Sequence, residues 1–265
     1  MRLLVLGGTK FLGRSFVEAA LAGDHEVTLF NRGETNPGLF PEAEHLRGDR
    51  ASDLGALEGR AWDAVVDPSG YVPAVVAASA QLLREAQLYL FVSSISVYAD
   101  YREPRVEGDP LETLAPDHPA DRLLEDYANY GALKTLCERE VEHVFGDRAL
   151  IVRPGLIVGP HDPTDRFTYW PRRAERGGPV LAPAPPDQPL QMVDVRDLAG
   201  WMLRLVESGR TGVFNATSPP GASAASSCSA SRPTPTKTPT ASSPRTPTDR
   251  FPQHSARFAR AAPTS

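Results

Sequence analysis

Apolar positions along the chain fall in short continuous runs that alternate with stretches of helical spacing. Arg2–Leu6 is an apolar run closed by glycines, the pattern of a buried strand. Leu12, Phe16, Ala19 and Ala20 then form a helical stripe that stops at Gly23. Glu26–Phe30 predicts a second strand, His45–Arg47 a short third and Ala64–Val66 a fourth. Pro73–Leu83 reads as a helix, with Pro73 in its first turn, where no amide partner is needed. Tyr89–Val92 is a strong fifth strand, Arg122–Phe145 a long helical segment, and Ala149–Val152 a sixth strand ending at Arg153-Pro154. Strict alternation of this kind predicts an α/β chain: a Rossmann-type, doubly wound parallel sheet with helices on both faces and right-handed crossovers.

After Gly155 the rhythm loosens, and proline and glycine crowd residues 159–189. Met192–Val193 reads as a strand. Asp194 is placed to cap a helix over Val195–Val206, with Asp197 in its first turn. Val213–Phe214 looks like a further strand, and no internal repeat is present.

Composition divides the 265 residues near position 220. Residues 221–265 hold 9 Ala, 9 Ser, 7 Thr and 7 Pro, with no Leu, Ile, Val, Met, Tyr or Trp. That tail cannot bury enough apolar surface to offset the entropy of ordering it. It carries +5, from five Arg and one Lys against one Asp, and so leaves −10 on the residues before it. Two readings account for the tail: a native disordered extension, or GC-rich DNA translated out of frame. The abruptness of the change favours the second. The expected organisation is therefore a dinucleotide-binding domain over 1–155 and a small, incomplete substrate lobe with the last Rossmann elements over 156–220. Residues 221–265 follow as a low-complexity tail.

Bulk properties exclude several classes. Two cysteines, Cys137 and Cys228, cannot build a disulfide framework or a Cys-based zinc site, and no metal site is expected. The N-terminus is too briefly apolar for a signal peptide, and no stretch reaches the length of a membrane helix. A cytoplasmic protein is expected. A body charged −10 is a poor partner for nucleic acid. The expected partner is a small molecule, with homodimerisation left open.

Gly7-Gly8-Thr9-Lys10-Phe11-Leu12-Gly13 joins the first strand to the first helix, where a dinucleotide pyrophosphate meets a helix N-terminus. Gly7 suits the tight turn and Gly13 a close helix–sheet approach. Lys10 stands where a Gly-x-x-Gly-x-x-Gly turn has its middle glycine, and it adds a positive charge beside the cofactor. The second strand ends in Asn31-Arg32 rather than the acidic residue that would hold the ribose 2′-hydroxyl of NAD. Arg32 suits a 2′-phosphate, so NADP is favoured, with NAD as the alternative. Asp49, after the third strand, is placed either to accept a hydrogen bond from the adenine amino group or to form the turn Gly48-Asp49-Arg50.

Tyr130 and Lys134 are four residues apart on one helix face. A free tyrosine, with a pKa near 10, is a poor base at neutral pH. Lowering it by about 3 units takes roughly 4 kcal/mol, which a nearby ammonium and the positive nicotinamide ring can supply. Tyr127 lacks such a partner, because position 131 is glycine. A hydroxyl donor is expected in Ser93-Ser94-Ile95-Ser96 at the end of the fifth strand, with Ser94 the choice over Ser93 and Ser96.

With these residues the chain resembles the extended short-chain dehydrogenase/reductase superfamily, of the NAD-dependent epimerase/dehydratase type, from residue 1 to about 217. The likeness rests on the glycine turn, Ser-Ser-x-x-Val-Tyr at 93–98, Tyr130 with Lys134, Arg153-Pro154-Gly155 with Gly159-Pro160, and Asp194–Ala199. It implies Ser94, Tyr130 and Lys134 as catalytic residues and Pro154 against the nicotinamide. Gly7, Thr9, Lys10, Phe11, Leu12, Gly13, Asn31, Arg32, Asp49, Tyr130 and Lys134 would hold the cofactor. Ser96, His161 and Arg166 would face the substrate, the last two in a segment rich in aromatics, with Phe167, Tyr169 and Trp170. A proline-stiffened loop covering the core is the alternative for that segment.

Departures narrow the expectation. The family's dehydratases carry Thr-Asp-Glu where this chain has Ser94-Ile95-Ser96, so the carboxylates that remove water are missing. Nucleotide-sugar epimerases usually carry asparagine at the position of Leu156, which counts against a UDP-sugar. Asp67-Pro68-Ser69-Gly70 replaces the usual His-x-Ala-Ala. The turn and Asn31-Arg32-Gly33 look like an atypical branch that includes bacterial reductases and chloroplast stem-loop-binding proteins. The expected function is an NAD(P)-dependent oxidoreductase or epimerase. The alternatives are an RNA-binding or regulatory member, or a truncated inactive product.

Overall fold

In the strand β1 (Arg2–Leu6), Leu3, Leu4, Val5 and Leu6 are all buried. A strand apolar on both sides must be covered on both sides, and β1 accordingly lies inside a seven-stranded parallel sheet. The other strands of the sheet are β2 (Glu26–Asn31), β3 (Glu44–Arg47), β4 (Ala64–Asp67), β5 (Leu88–Val92), β6 (Ala149–Pro154) and β9 (Gly212–Ala216). The spatial order is β3-β2-β1-β4-β5-β6-β9, every pair parallel. The order reverses between β1 and β4, which puts the ligand crevice of such a sheet at the carboxyl ends of those two strands. The computed structural model describes residues 1–114, 129–181 and 190–218.

Two helical layers cover the sheet. On one face α1 (Phe11–Ala22) and α5 (Val195–Glu207) pack together, burying Phe16, Val17, Leu198 and Met202 against Leu3, Val5, Leu29, Leu90 and Val152. On the other, α2 (Pro73–Leu82) and α3 (Tyr130–Phe145) bury Val76, Ala80, Cys137 and Val141 against Leu4, Leu6, Val65, Phe91 and Ile151. Pro73 opens α2 at its first position. Asp194 caps α5, its carboxylate accepting from the Arg196 amide at 2.8 Å.

Two short elements had no counterpart in the expected pattern. Leu156–Val158 forms β7, which pairs in parallel with β8 (Met192–Asp194). Tyr169–Glu175 forms the helix α4, with Pro171 at its third residue, inside the first turn where a missing amide costs no hydrogen bond. Residues Met1–His161 and Met192–Thr217 form one compact unit, and Asp162–Gln191 belong to a second. Among the described residues no helix is long and apolar enough to cross a membrane. The tail over 221–265, Tyr127 and the start of the expected helix over 122–145 lie outside the described residues.

Candidate active site

The turn after β1 is shaped by more than the two glycines singled out from the sequence. Gly7 and Gly8 both have positive φ, +109° and +86°. A Cβ on Gly8 would lie 2.7 Å from Leu29 Cδ2 and 3.2 Å from Val17 Cγ2, so with its φ this position disfavours a side chain. A Cβ on Gly13 would lie 3.2 Å from the Gly8 backbone, which is the close helix approach the turn requires. Thr9 and Leu12 are buried behind it. Phe11 has φ of 39° and is packed against the α1/α5 core. Lys10 precedes α1 and points into solvent. The turn is braced from outside: Asn31 Nδ2 donates to Gly7 O (3.0 Å), Asn36 Nδ2 to Thr9 O (2.9 Å) and Ser69 Oγ to Leu6 O (2.9 Å). A glycine turn of this shape, closed by a helix N-terminus and carrying an exposed lysine, fits a dinucleotide pyrophosphate.

Of the residues expected at the adenosine end, Arg32 is exposed and paired with Glu34 at 3.0 Å. Asp49 Oδ1 accepts from the Ala51 amide at 2.9 Å, so its carboxylate forms the turn. Pro154 ends β6, and the next amide, Gly155, donates to Ala216 O at 3.0 Å.

Ser94 and the Lys134 ammonium lie at the carboxyl ends of β5 and β4. Ser94 caps a single 3-10 turn over Ile95–Val97, its hydroxyl accepting from the Ser96 amide at 3.1 Å. The first turn of α3 packs against that turn, and α3 carries Tyr130 and Lys134 one helical turn apart. Contact is possible because residue 131 is glycine. A Cβ there would stand 1.9 Å from Ser96 O and 2.4 Å from Glu112 Oε2. Gly131→Ala is therefore expected to push α3 away from the serine turn, lowering thermal stability and turnover together. Thermal melting and a rate measurement on the same preparation check this, and a variant as stable and active as the parent would contradict it.

Lys134 is 2% exposed. Its ammonium donates to Gly70 O and Val92 O, both at 2.6 Å, and sits 4.1 Å from the centroid of the Phe91 ring. Burial lowers its pKa to about 8, against the pull of nearby acidic groups. Three residues on, burial pushes the Cys137 thiol up to about 12, which leaves it an inert packing group. Ser93 Oγ is buried and has no hydrogen-bond partner among the described residues.

Two buried ion pairs that single-sequence reading missed frame this centre. Asp67, fully buried at the end of β4, takes Arg50 Nη1 at 2.6 Å, Tyr89 Oη at 3.0 Å and the Ser69 amide at 3.1 Å. Arg153, on β6, meets Glu138, on α3, through two bonds of 3.0 and 2.7 Å. It also donates to Tyr98 Oη at 3.0 Å, and Tyr98 donates to Asn215 Oδ1 at 2.7 Å. The second network thus ties α3, β6, β9 and the residue that closes the Ser94 turn.

Of the substrate-side candidates, Ser96 lies in the serine turn and His161 has its Nδ1 3.5 Å from Arg14 Nη1, with φ of 65°. Arg166 belongs to the second unit, where its Nε donates to Thr164 Oγ1 at 2.8 Å. In that unit Tyr169 and Trp170 meet edge to face, with centroids 5.2 Å apart. Among the described residues no three His, Cys, Asp or Glu gather as a metal site would need.

Comparison with known proteins bears on the same span. The model of the NAD dependent epimerase/dehydratase family matches residues 3–216. The chain is 26% identical over 234 residues to chloroplast stem-loop binding protein of 41 kDa b of Arabidopsis thaliana, covering 81% of this chain but only 58% of that protein. It is 25% identical to epimerase family protein SDR39U1 of Bos taurus, covering 83% of this chain and 75% of that one. Among solved structures, UDP-glucuronic acid 4-epimerase from Bacillus cereus in complex with NAD superposes with a TM-score of 0.66 at 18% identity. That match covers 84% of this chain and 80% of the other, and it shows a shared fold.

Proposed function

The chain belongs to the NAD dependent epimerase/dehydratase family, and from that premise we propose that it is an NADP-dependent oxidoreductase or epimerase acting on a hydroxyl or keto carbon of a small substrate. What supports this reading most is the seating of Gly131 on Ser96 O, which sets the Tyr130/Lys134 face of α3 beside the Ser94 turn. The dinucleotide, when bound, gives or takes the hydride. Tyr130 passes a proton to, or takes one from, the substrate oxygen. Ser94 donates a hydrogen bond to that same oxygen. Lys134, its ammonium fixed by the carbonyls of Gly70 and Val92, favours the ionised form of Tyr130. Ile95 and Ser96 bear no carboxylate, which counts against loss of water as the reaction. Gly7, Thr9, Lys10, Phe11, Leu12 and Gly13 hold the pyrophosphate, and Ser96 and His161 serve the substrate side.

Titrating the full chain with NADPH and NADH, followed by nicotinamide fluorescence, tests the reading. Saturable binding is expected, tighter for NADPH. A folded protein that binds neither would overturn it.

A further inference from the structure

We infer that Arg47, at the end of β3, and not Arg32, is the residue that selects NADP by taking its 2′-phosphate. The inference rests on the dinucleotide reading above. In such folds the residue at the end of the second strand reads the adenosine ribose: a carboxylate accepts the 2′-hydroxyl of NAD, and a cation nearby accepts the 2′-phosphate of NADP. The second strand here ends at Asn31, and Asn31 is paired in register with Arg47, the last residue of β3. Both side chains therefore stand at the carboxyl edge of the sheet, beside the glycine turn.

The guanidinium is held there by a built seat. Asn31 Oδ1 accepts from Arg47 Nη1 and from the Gly33 amide, the latter at 2.9 Å, while Asn31 Nδ2 donates to Gly7 O at 3.0 Å. The amide is thus oriented by three bonds, its oxygen toward the arginine. Gly33 makes room: with φ of +77°, a Cβ on it would lie 2.7 Å from Arg47 Nη1 and 2.8 Å from Cζ. Arg47 Nη2 reaches Pro37 O at 3.5 Å. Both of these partners are neutral, and among the described residues no carboxylate is paired with Arg47. Its charge and several of its N–H groups are left for an anion, in the planar fork that suits phosphate. Arg32, exposed like Arg47, differs in its partner: its guanidinium is paired with the carboxylate of Glu34 at 3.0 Å. Lys10, by contrast, opens α1 at the pyrophosphate and serves NAD and NADP alike.

The test is binding, by nicotinamide fluorescence with NADPH and NADH and by calorimetry with adenosine 2′,5′-bisphosphate and 5′-AMP, on the full chain. Arg47→Ala should weaken NADPH and the 2′,5′-bisphosphate by at least about ten-fold, the scale of a lost charge-assisted pair. NADH and 5′-AMP should stay within about two-fold, which also certifies the fold. The loss should exceed that of Arg32→Ala. Asn31→Asp, which would give Arg47 a carboxylate partner, should also erode the preference for NADPH. A larger loss in Arg32→Ala, or an equal loss of NADPH and NADH in Arg47→Ala, overturns the assignment. Equal affinity of the parent chain for NADPH and NADH overturns it while leaving the dinucleotide reading intact. Binding of neither overturns both.

Discussion

Glu138→Ala is expected to lower the free energy of unfolding by about 3–5 kcal/mol, the cost of stranding a buried charge. Glu138 and Arg153 are 2% and 3% exposed, and the carboxylate faces the guanidinium through both oxygens. Truncation leaves the arginine in a medium where water cannot solvate it. Its other acceptors, Tyr98 Oη and Glu107 O at 3.0 Å each, are neutral and cannot replace a charge. The cost comes from the unpaired survivor, so removing both partners should cost much less. Glu138→Leu combined with Arg153→Met supplies that comparison. Urea unfolding of the full chain, with midpoints compared at constant slope, reads both. A single variant within about 1 kcal/mol of the parent, or a double variant worse than the single, would contradict the account. The loss should also reach the candidate active site, because Tyr98 closes the turn that Ser94 opens.

The pairing of those two residues did not announce itself in the sequence, whereas the strands did. The strands were legible because a parallel strand covered on both faces is a continuous apolar run, as in Leu3–Leu6 and Leu88–Val92. The glycine turn and the Tyr130/Lys134 spacing were legible because each is local, contained within one helical turn or one loop. Glu138 and Arg153 are fifteen residues apart on different elements, and a charged residue reads as surface unless its neighbours say otherwise. One signal was present: Asp67 and Arg153 each extend an otherwise apolar strand, and both are buried with it. Gly131 shows the same limit. Its place between Tyr130 and Lys134 was plain, but only the tertiary packing reveals that Ser96 O occupies the room a side chain would need. The short β7 and α4 lack enough residues to establish a period. The seat of Arg47 depends on cross-strand register between β2 and β3, which no local pattern encodes.

Tyr130→Phe is expected to reduce turnover by about 10²–10⁴-fold, the usual worth of a positioned acid–base group, while leaving NADPH affinity nearly unchanged. The substitution removes one oxygen and keeps the ring in the first turn of α3, so the Gly131 contact and the cofactor turn are untouched. Lys134→Met should behave differently. Its buried ammonium is bound to the carbonyls of Gly70 and Val92, and its removal leaves two buried acceptors unpaired. That variant should lose cofactor affinity and stability as well as rate. The two variants therefore separate proton transfer from binding: one lowers the rate alone, the other lowers rate and affinity together. Rates are read as oxidation of NADPH against a panel of small aldehydes and ketones, and affinities by fluorescence. Retention of more than about a tenth of the parent rate in Tyr130→Phe would remove Tyr130 from proton transfer.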